Sequence, residues 1–279
     1  MSRVLISAVV MFAMPLLIQP VYAESCEPPG KPELAVVAYV YDGDTVRLKD
    51  GRRVRLLGIN TTEIGRDGDE DQRFAKAAKQ VLEKVLSERP RVKLYFDQEK
   101  KDHYGRHLAH IYVSGNLNTR DLNTEHLNSR SSNPEPWGFS LEQALLRQGL
   151  AYHVAIPPNL ALASCFKQAE QRAQQQGLGL WGRDGIQPTS SIQLEEGGYQ
   201  RVQGKVVRVA FADAWWIELE GGLSIVIYPE HQHRFTRQQV AAWRGQSLLV
   251  EGWVYRSKGR GWRIKLETPY GVSESMKSR

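Results

Sequence analysis

Chemistry in this chain gathers in three short stretches: "DGDT" at residues 42–45, "RLLGINTTE" at 55–63 and "DHYGR" at 102–106. Together they supply carboxylates, an amide, hydroxyls and arginines, a set suited to a phosphate ester. Cleaving such an ester needs a nucleophilic water, neutralised charge on the phosphoryl oxygens and in-line geometry. Asp44 and Asn60 offer side-chain oxygens, and Thr61 a backbone carbonyl, to a hard cation; calcium tolerates an irregular shell completed by water. Arg55 and Arg106 present planar forks matched to phosphate oxygens, a geometry lysine lacks. Glu63 is then the general base on the water, or the group that orients it. Each piece alone has a plainer reading: Asp-Gly-Asp as a common hairpin turn, Glu63 as a solvated loop carboxylate, Arg106 as a hairpin cap. Their joint occurrence is what argues for a site.

The elements that would position these residues follow from pattern. Between residues 35 and 59, β-branched runs alternate with two Asp-Gly turns, which predicts a three-stranded antiparallel meander. Apolar positions from Phe74 to Leu86 keep helical spacing, so a helix is expected over 71–89, ended by Pro90. "RVKLYF" and "RHLAHIYV" form a hairpin pair, and "SLEQALLRQGL" and "LASCFKQAEQRAQQQGLGLW" two further helices, the second stopped by Gly177. A long Asn/Ser/Thr/Pro-rich loop spans 115–138. Residues 184–198 lack periodicity and mark a linker. Beyond it, five strands with a helix before the fourth suggest a small closed barrel of the OB type over 199–270, followed by a tail at 271–279. Within it, "YRSKGRGWRIK" interleaves Lys258, Arg260 and other cations with Trp262. Such a pattern serves either to track phosphates and stack bases or to fill a small barrel core. The histidines share no metal-ligand spacing and read as surface or hairpin residues; "HQH", if extended, puts His231 and His233 on one face.

The hydrophobic share of 41% and charged share of 24% exclude a disordered or fibrous chain. Residues 1–23 combine Arg3, an apolar run and small residues near Ala23, the pattern of a secretory signal. Pro15 and Pro20 interrupt the run, so no stable membrane span is expected after cleavage. The expected destination is the periplasm or the medium, after a short arm at 24–34. Cys26 and Cys165 are the only two cysteines. An oxidising compartment favours their pairing, which would tie the arm to a helix; otherwise they are two free thiols. The formal charge of +6, or +5 once Arg3 leaves with the leader, suits anionic partners such as nucleic acid or acidic envelope polymers. No obligate protein partner is evident.

The three signature stretches, their order, the intervening helix and the downstream "LLRQGLA" and "GLGLWG" segments resemble the staphylococcal nuclease (thermonuclease) family over residues 35–182. The resemblance implies a mainly β fold with α (α+β), an OB-like five-stranded barrel with helices over 35–183, here followed by the second, smaller OB-like barrel. It implies a calcium-dependent nuclease that hydrolyses DNA, RNA or both and leaves 3′-phosphate ends. It places Asp44, Asn60 and Thr61 at the calcium, Glu63, Arg55 and Arg106 at the reaction, Asp42 one contact further out and Tyr104 near the nucleotide. Two departures stand out. Asn60 occupies a position where an aspartate is usual, which removes a negative charge and opens the site to other divalent metals. Thr62 replaces a common proline and gives up a fixed φ before Glu63. The alternative is a weakened nuclease fold that only binds nucleic acid or envelope polymers.

Overall fold

Strands β1 (Glu33–Val40), β2 (Thr45–Leu48) and β3 (Arg53–Leu56) form the expected meander, with Val40 paired to Val46 and Val46 to Val54. The computed structural model describes residues 26–65, 68–115, 137–257, 259 and 261–274. The proposed leader, most of the 115–138 loop, Lys258, Arg260 and the end of the tail lie outside the described residues. After β4 (Ile59–Asn60) comes α1 (Ala75–Glu88), then β5 (Arg91–Tyr95) and β6 (His107–Val113). β5 runs antiparallel to β1 and to β6, and β6 pairs parallel with β3, so five strands close into a barrel. Val46, Val54, Leu56, Leu82, Leu94, Ile111 and Phe166 fill its interior.

Helix α1 starts at Ala75 and not at Asp71. The Asp71 carboxylate is engaged by the Gly65 backbone N–H at 3.0 Å and by Lys76, while Phe74 takes a left-handed φ of 69°. Residues 71–74 therefore bend back toward β4 and do not wind a first turn.

β7 (Phe139–Ser140) extends the sheet beside β6, and α2 (Leu141–Arg147), β8 (Tyr152–His153) and α3 (Ala163–Gln176) follow. Gly177 caps α3 with a φ of 62°. A disulfide joins Cys26 to Cys165 on α3, and the Tyr112 hydroxyl donates to the Cys26 carbonyl. Among the described residues no helix is long and apolar enough to cross a membrane.

The stretch expected to be a linker instead carries β9 (Thr189–Ser190), and its Leu194 packs into the second core. The second barrel then runs through β10 (Gly198–Phe211), β11 (Trp215–Leu219), β12 (Ser224–Ile227), the short helices α4 (Pro229–Gln232) and α5 (Arg237–Ala242), β13 (Ser247–Ser257) and β14 (Gly261–Lys265). β13 pairs with both β10 and β14, and β14 runs parallel to β12, which closes the barrel. β15 (Val272–Glu274), within the expected tail, adds to the edge of β13.

The barrels are joined by charge and rings. Lys167 lies 2.7 Å from Glu170 and 3.6 Å from Glu251, Glu251 accepts from Arg201 at 3.0 Å, and Arg201 sits 4.3 Å over the Trp181 ring. Burial pushes the Glu170 carboxyl up to about 7 against the pull of Lys167.

The histidines correct one expectation. His110 and His153 are buried, and burial drives both imidazoles down to about 3, hence neutral. β6 is flanked by β3 and β5, and β8 is covered by α3, so neither strand leaves its histidine a wet face. His231 is also buried; its segment is helical, not extended, and its imidazole lies 3.4 Å from Glu267. His126 lies outside the described residues.

Candidate active site

The turn between β1 and β2 is held down by packing. A Cβ on Gly43 would come within 2.6 Å of Ala78 Cβ on α1 and 2.7 Å of Thr61 Cγ2, so only glycine lets the turn lie under the helix. That fixes Asp44, which is only 6% exposed, against the segment after β4. Its Oδ2 accepts from the Thr61 backbone N–H and hydroxyl, both at 3.0 Å, and its Oδ1 from the Thr45 hydroxyl at 3.1 Å.

Arg55, on β3, brings the oxygen donors together. Its Nη2 lies 3.1 Å from Asp44 Oδ2 and donates at 3.1 Å to Asn60 Oδ1, while Nη1 donates to the Leu56 carbonyl at 2.8 Å. The donor chemistry of carboxylate and amide oxygens, with no thiolate or imidazole, fits a hard divalent cation. Among the described residues no group of three or more His, Cys, Asp or Glu side chains could hold a metal. A cation here would therefore draw on Asp44, the Asn60 amide and the Thr61 carbonyl. Asp42 accepts from the Asp44 backbone N–H at 3.0 Å; burial, reinforced by the neighbouring Asp44 charge, pushes its carboxyl up to about 6.

Glu63 is exposed at the mouth, and its backbone is fixed where a proline is absent. Its N–H donates to Gln72 Oε1 at 2.9 Å, its carbonyl accepts from the Gln72 N–H at 3.0 Å, and the Thr62 hydroxyl donates to the Arg73 carbonyl at 2.8 Å. Gln72 thus restores the constraint that Thr62 gave up. Arg106 is held by Asp102, whose Oδ2 accepts from Nε at 2.7 Å and whose Oδ1 accepts from the Arg106 N–H at 2.9 Å. Burial works to raise the Asp102 carboxyl, but these Arg106 contacts overcome it and hold the group low. Neither positioning residue was singled out from sequence. The four-residue spacing of Asp102 and Arg106 was an available signal, whereas Gln72 depends on the bend at Phe74.

Asp42, Asp44, Arg55, Asn60, Glu63, Tyr104 and Arg106 all line one cleft of about 900 Å³. A smaller pocket of about 330 Å³ meets it at Asp42 and Arg106. Tyr104 is 69% exposed, with the Arg106 guanidinium 5.5 Å over its ring. Trp262 stands elsewhere, packed partly buried on the second core with Arg256 5.8 Å over its ring. Lys258 and Arg260 fall outside the described residues.

An OB barrel with carboxylate, amide and arginines converging at one mouth defines a phosphodiester-directed site. The staphylococcal nuclease homologue model matches residues 53–183. Thermonuclease from Staphylococcus intermedius is 34% identical over 154 residues, covering 54% of this chain and 77% of that protein. Thermonuclease from Staphylococcus hyicus is 26% identical over 148 residues, covering 52% and 73%. The SPbeta prophage-derived endonuclease YokF of Bacillus subtilis is 28% identical over 149 residues, covering 52% of this chain and 42% of its own length. The chain belongs to the staphylococcal nuclease family of phosphodiester-hydrolysing endonucleases. The family match ends at the boundary with the second barrel.

Proposed function

We propose that this protein is an exported, calcium-dependent nuclease that cleaves DNA, RNA or both. The observation that carries the reading is the convergence of Asp44, Arg55, Asn60, Glu63 and Arg106 on one cleft. Glu63 takes a proton from a water whose oxygen attacks phosphorus. Arg55 and Arg106 bind the phosphoryl oxygens as charge builds there. The bond from phosphorus to the 5′ oxygen breaks, leaving a 3′-phosphate and a 5′-hydroxyl that takes its proton from solvent. Asp44, Asn60 and the Thr61 carbonyl would hold the calcium, which would supply positive charge and positioning for the ester. Asp42 fixes the Asp44 backbone, and Gln72 and Asp102 fix Glu63 and Arg106. The leader pattern and the Cys26–Cys165 disulfide support export to an oxidising compartment.

The test compares wild type and Glu63→Gln on nucleic acid, with calcium and with a chelator. Loss of the general base lowers kcat by about 10³-fold with the circular dichroism spectrum unchanged. Chelation abolishes wild-type activity. Equal rates for the two proteins refute the role of Glu63, and activity indifferent to chelation refutes the metal.

A further inference from the structure

The second barrel lies outside the family match, yet it builds one wall of the cleft. We propose that the outward face of β13 is a nucleobase-binding subsite that takes an unpaired nucleic-acid strand leaving the catalytic mouth; this rests on the nuclease reading above. Along β13 the side chains alternate, as on any strand with one buried face. Leu248, Val250 and Val254 face the barrel core, while Trp253 and Tyr255 point outward and are 44% and 39% exposed. Two large aromatics left open on neighbouring outward positions mark a binding surface more than a folding need. Both line the same cleft as Asp44, Glu63 and Arg106.

The rings also form a continuous path from the reacting end. Asn60 pairs across β4 and β8 with Tyr152, Tyr152 packs on Tyr199 at 5.3 Å, and Tyr199 meets Trp253 edge-on at 5.0 Å. Beyond Trp253, the Tyr255 hydroxyl lies 3.4 Å from that of Tyr228. These contacts fix the rings before any ligand arrives, which reduces the ordering that binding requires.

The acids beside these rings already have partners: Glu251 is held by Arg201 and Lys167, and Glu267 by Lys265 at 2.5 Å. The wall thus presents aromatic faces whose neighbouring acids are paired, with Arg263 opposite Tyr255 across β13 and β14, while Arg55 and Arg106 stand on the first barrel. Rings stack on bases only where base faces are open, which selects a single strand over a duplex.

The test uses full-length Glu63→Gln protein and a fluorescein-labelled oligothymidylate read by fluorescence anisotropy, with the same sequence as a duplex for comparison. Replacing both rings, Trp253→Ala with Tyr255→Ala, raises Kd for the strand about tenfold. Trp253→Phe, which keeps a stacking face, holds Kd within about twofold. The duplex binds more weakly than the strand. An unchanged Kd in the double variant, an equal loss in Trp253→Phe, or a duplex bound as tightly as the strand overturns the proposal. Digestion of the unlabelled strand by the wild-type chain separates the two readings. A strand bound through Trp253 yet left uncut sinks the nuclease reading and keeps the subsite. A strand cut normally, with binding indifferent to both rings, sinks the subsite alone.

Discussion

The two barrels share one topology, so their differences isolate what makes a site. In each, the first strand pairs with the fourth and the third runs parallel to the fifth: β1 with β5 and β3 with β6 in one, β10 with β13 and β12 with β14 in the other. The segments that correspond diverge sharply. Between the first two strands, the nuclease barrel places Asp42-Gly43-Asp44 and the second barrel Ala212-Asp213-Ala214. After the third strand, the first continues into Asn60-Thr61-Thr62-Glu63 and the second into Tyr228-Pro229-Glu230-His231. In the first barrel a glycine lets the turn lie against α1 and Thr61, and the buried Asp44 meets Arg55. In the second, no arginine on β12 brings acids together, and the comparable space is covered by short helices over an apolar core. The cleft of the first barrel is thus built from its first turn, from Arg55 on its third strand and from that strand's exit, and the second barrel, on the same topology, reproduces none of the three.

The largest expected effect separates the barrels by covalent anchoring. The disulfide closes a loop of sequence separation 139 around the first barrel, and neither cysteine belongs to the second. Opening a loop that long frees the unfolded chain by about 4–5 kcal/mol. Cys26→Ser with Cys165→Ser, or reduction, should lower the calorimetric transition of the first barrel well below that of the second. A single transition that merely shifts as a whole would mean that the Glu251 network couples the barrels too tightly for the comparison to hold.

Arg55→Lys comes next. Arg55 reaches both Asp44 and Asn60 from one guanidinium nitrogen while a second binds the Leu56 carbonyl. An ammonium cannot span that set, so kcat/KM on nucleic acid falls by about 10²-fold or more. A loss under threefold would move phosphate recognition away from this residue.

Buried acids distinguish the barrels by pH. Glu142 on α2 is fully buried, accepting from the Ile111 N–H at 2.9 Å and the Ser140 hydroxyl at 2.7 Å, and burial raises its carboxyl from 4.5 to about 8. His110 Nδ1 is 3.8 Å away, too far for a hydrogen bond, and burial keeps that ring neutral. A carboxyl whose folded pKa is raised contributes stability that is full below about pH 4.5 and is lost as pH climbs through about 8. Glu142→Gln keeps the polar contacts and cannot ionise. Its melting temperature should gain on wild type as pH rises from about 5 to about 8. A constant difference across that range contradicts the assignment.

The meander and the residues that line the cleft are legible because local chemistry dictates them: Asp-Gly turns bound the β-branched runs, and Arg55 and Glu63 flank one buried strand exit. What stayed hidden depends on distant partners. Glu142 sits in "SLEQALLRQGL" where an acid ordinarily faces water, and only the closure of β6 and β7 over α2 buries it. Gln72 clamps Glu63 only because Phe74 bends the chain before α1. Trp253 and Tyr255 belong to an ordinary alternating strand, and their bearing on the cleft comes from how the barrels pack. The segment taken for a linker carries β9 because Thr189 and Ser190 pair with Val202 and Gln203, a contact that no local pattern announces.

The smallest effect is the sharpest control on the comparison. The second barrel also has an arginine–carboxylate pair, Arg208 with Glu218 at 3.1 Å, joining neighbouring strands β10 and β11. Its chemistry matches that of Arg55 with Asp44 at the same separation, but these side chains are largely in water and the latter pair is not. Solvent screening and lost side-chain freedom leave such exposed pairs with less than about 0.5 kcal/mol. Arg208→Ala should therefore shift the chemical-denaturation midpoint barely beyond error and leave kcat/KM unchanged. A loss comparable to that of Arg55→Lys would show that pairing alone, and not burial at the first turn and third-strand exit, sets the importance of an arginine in this protein.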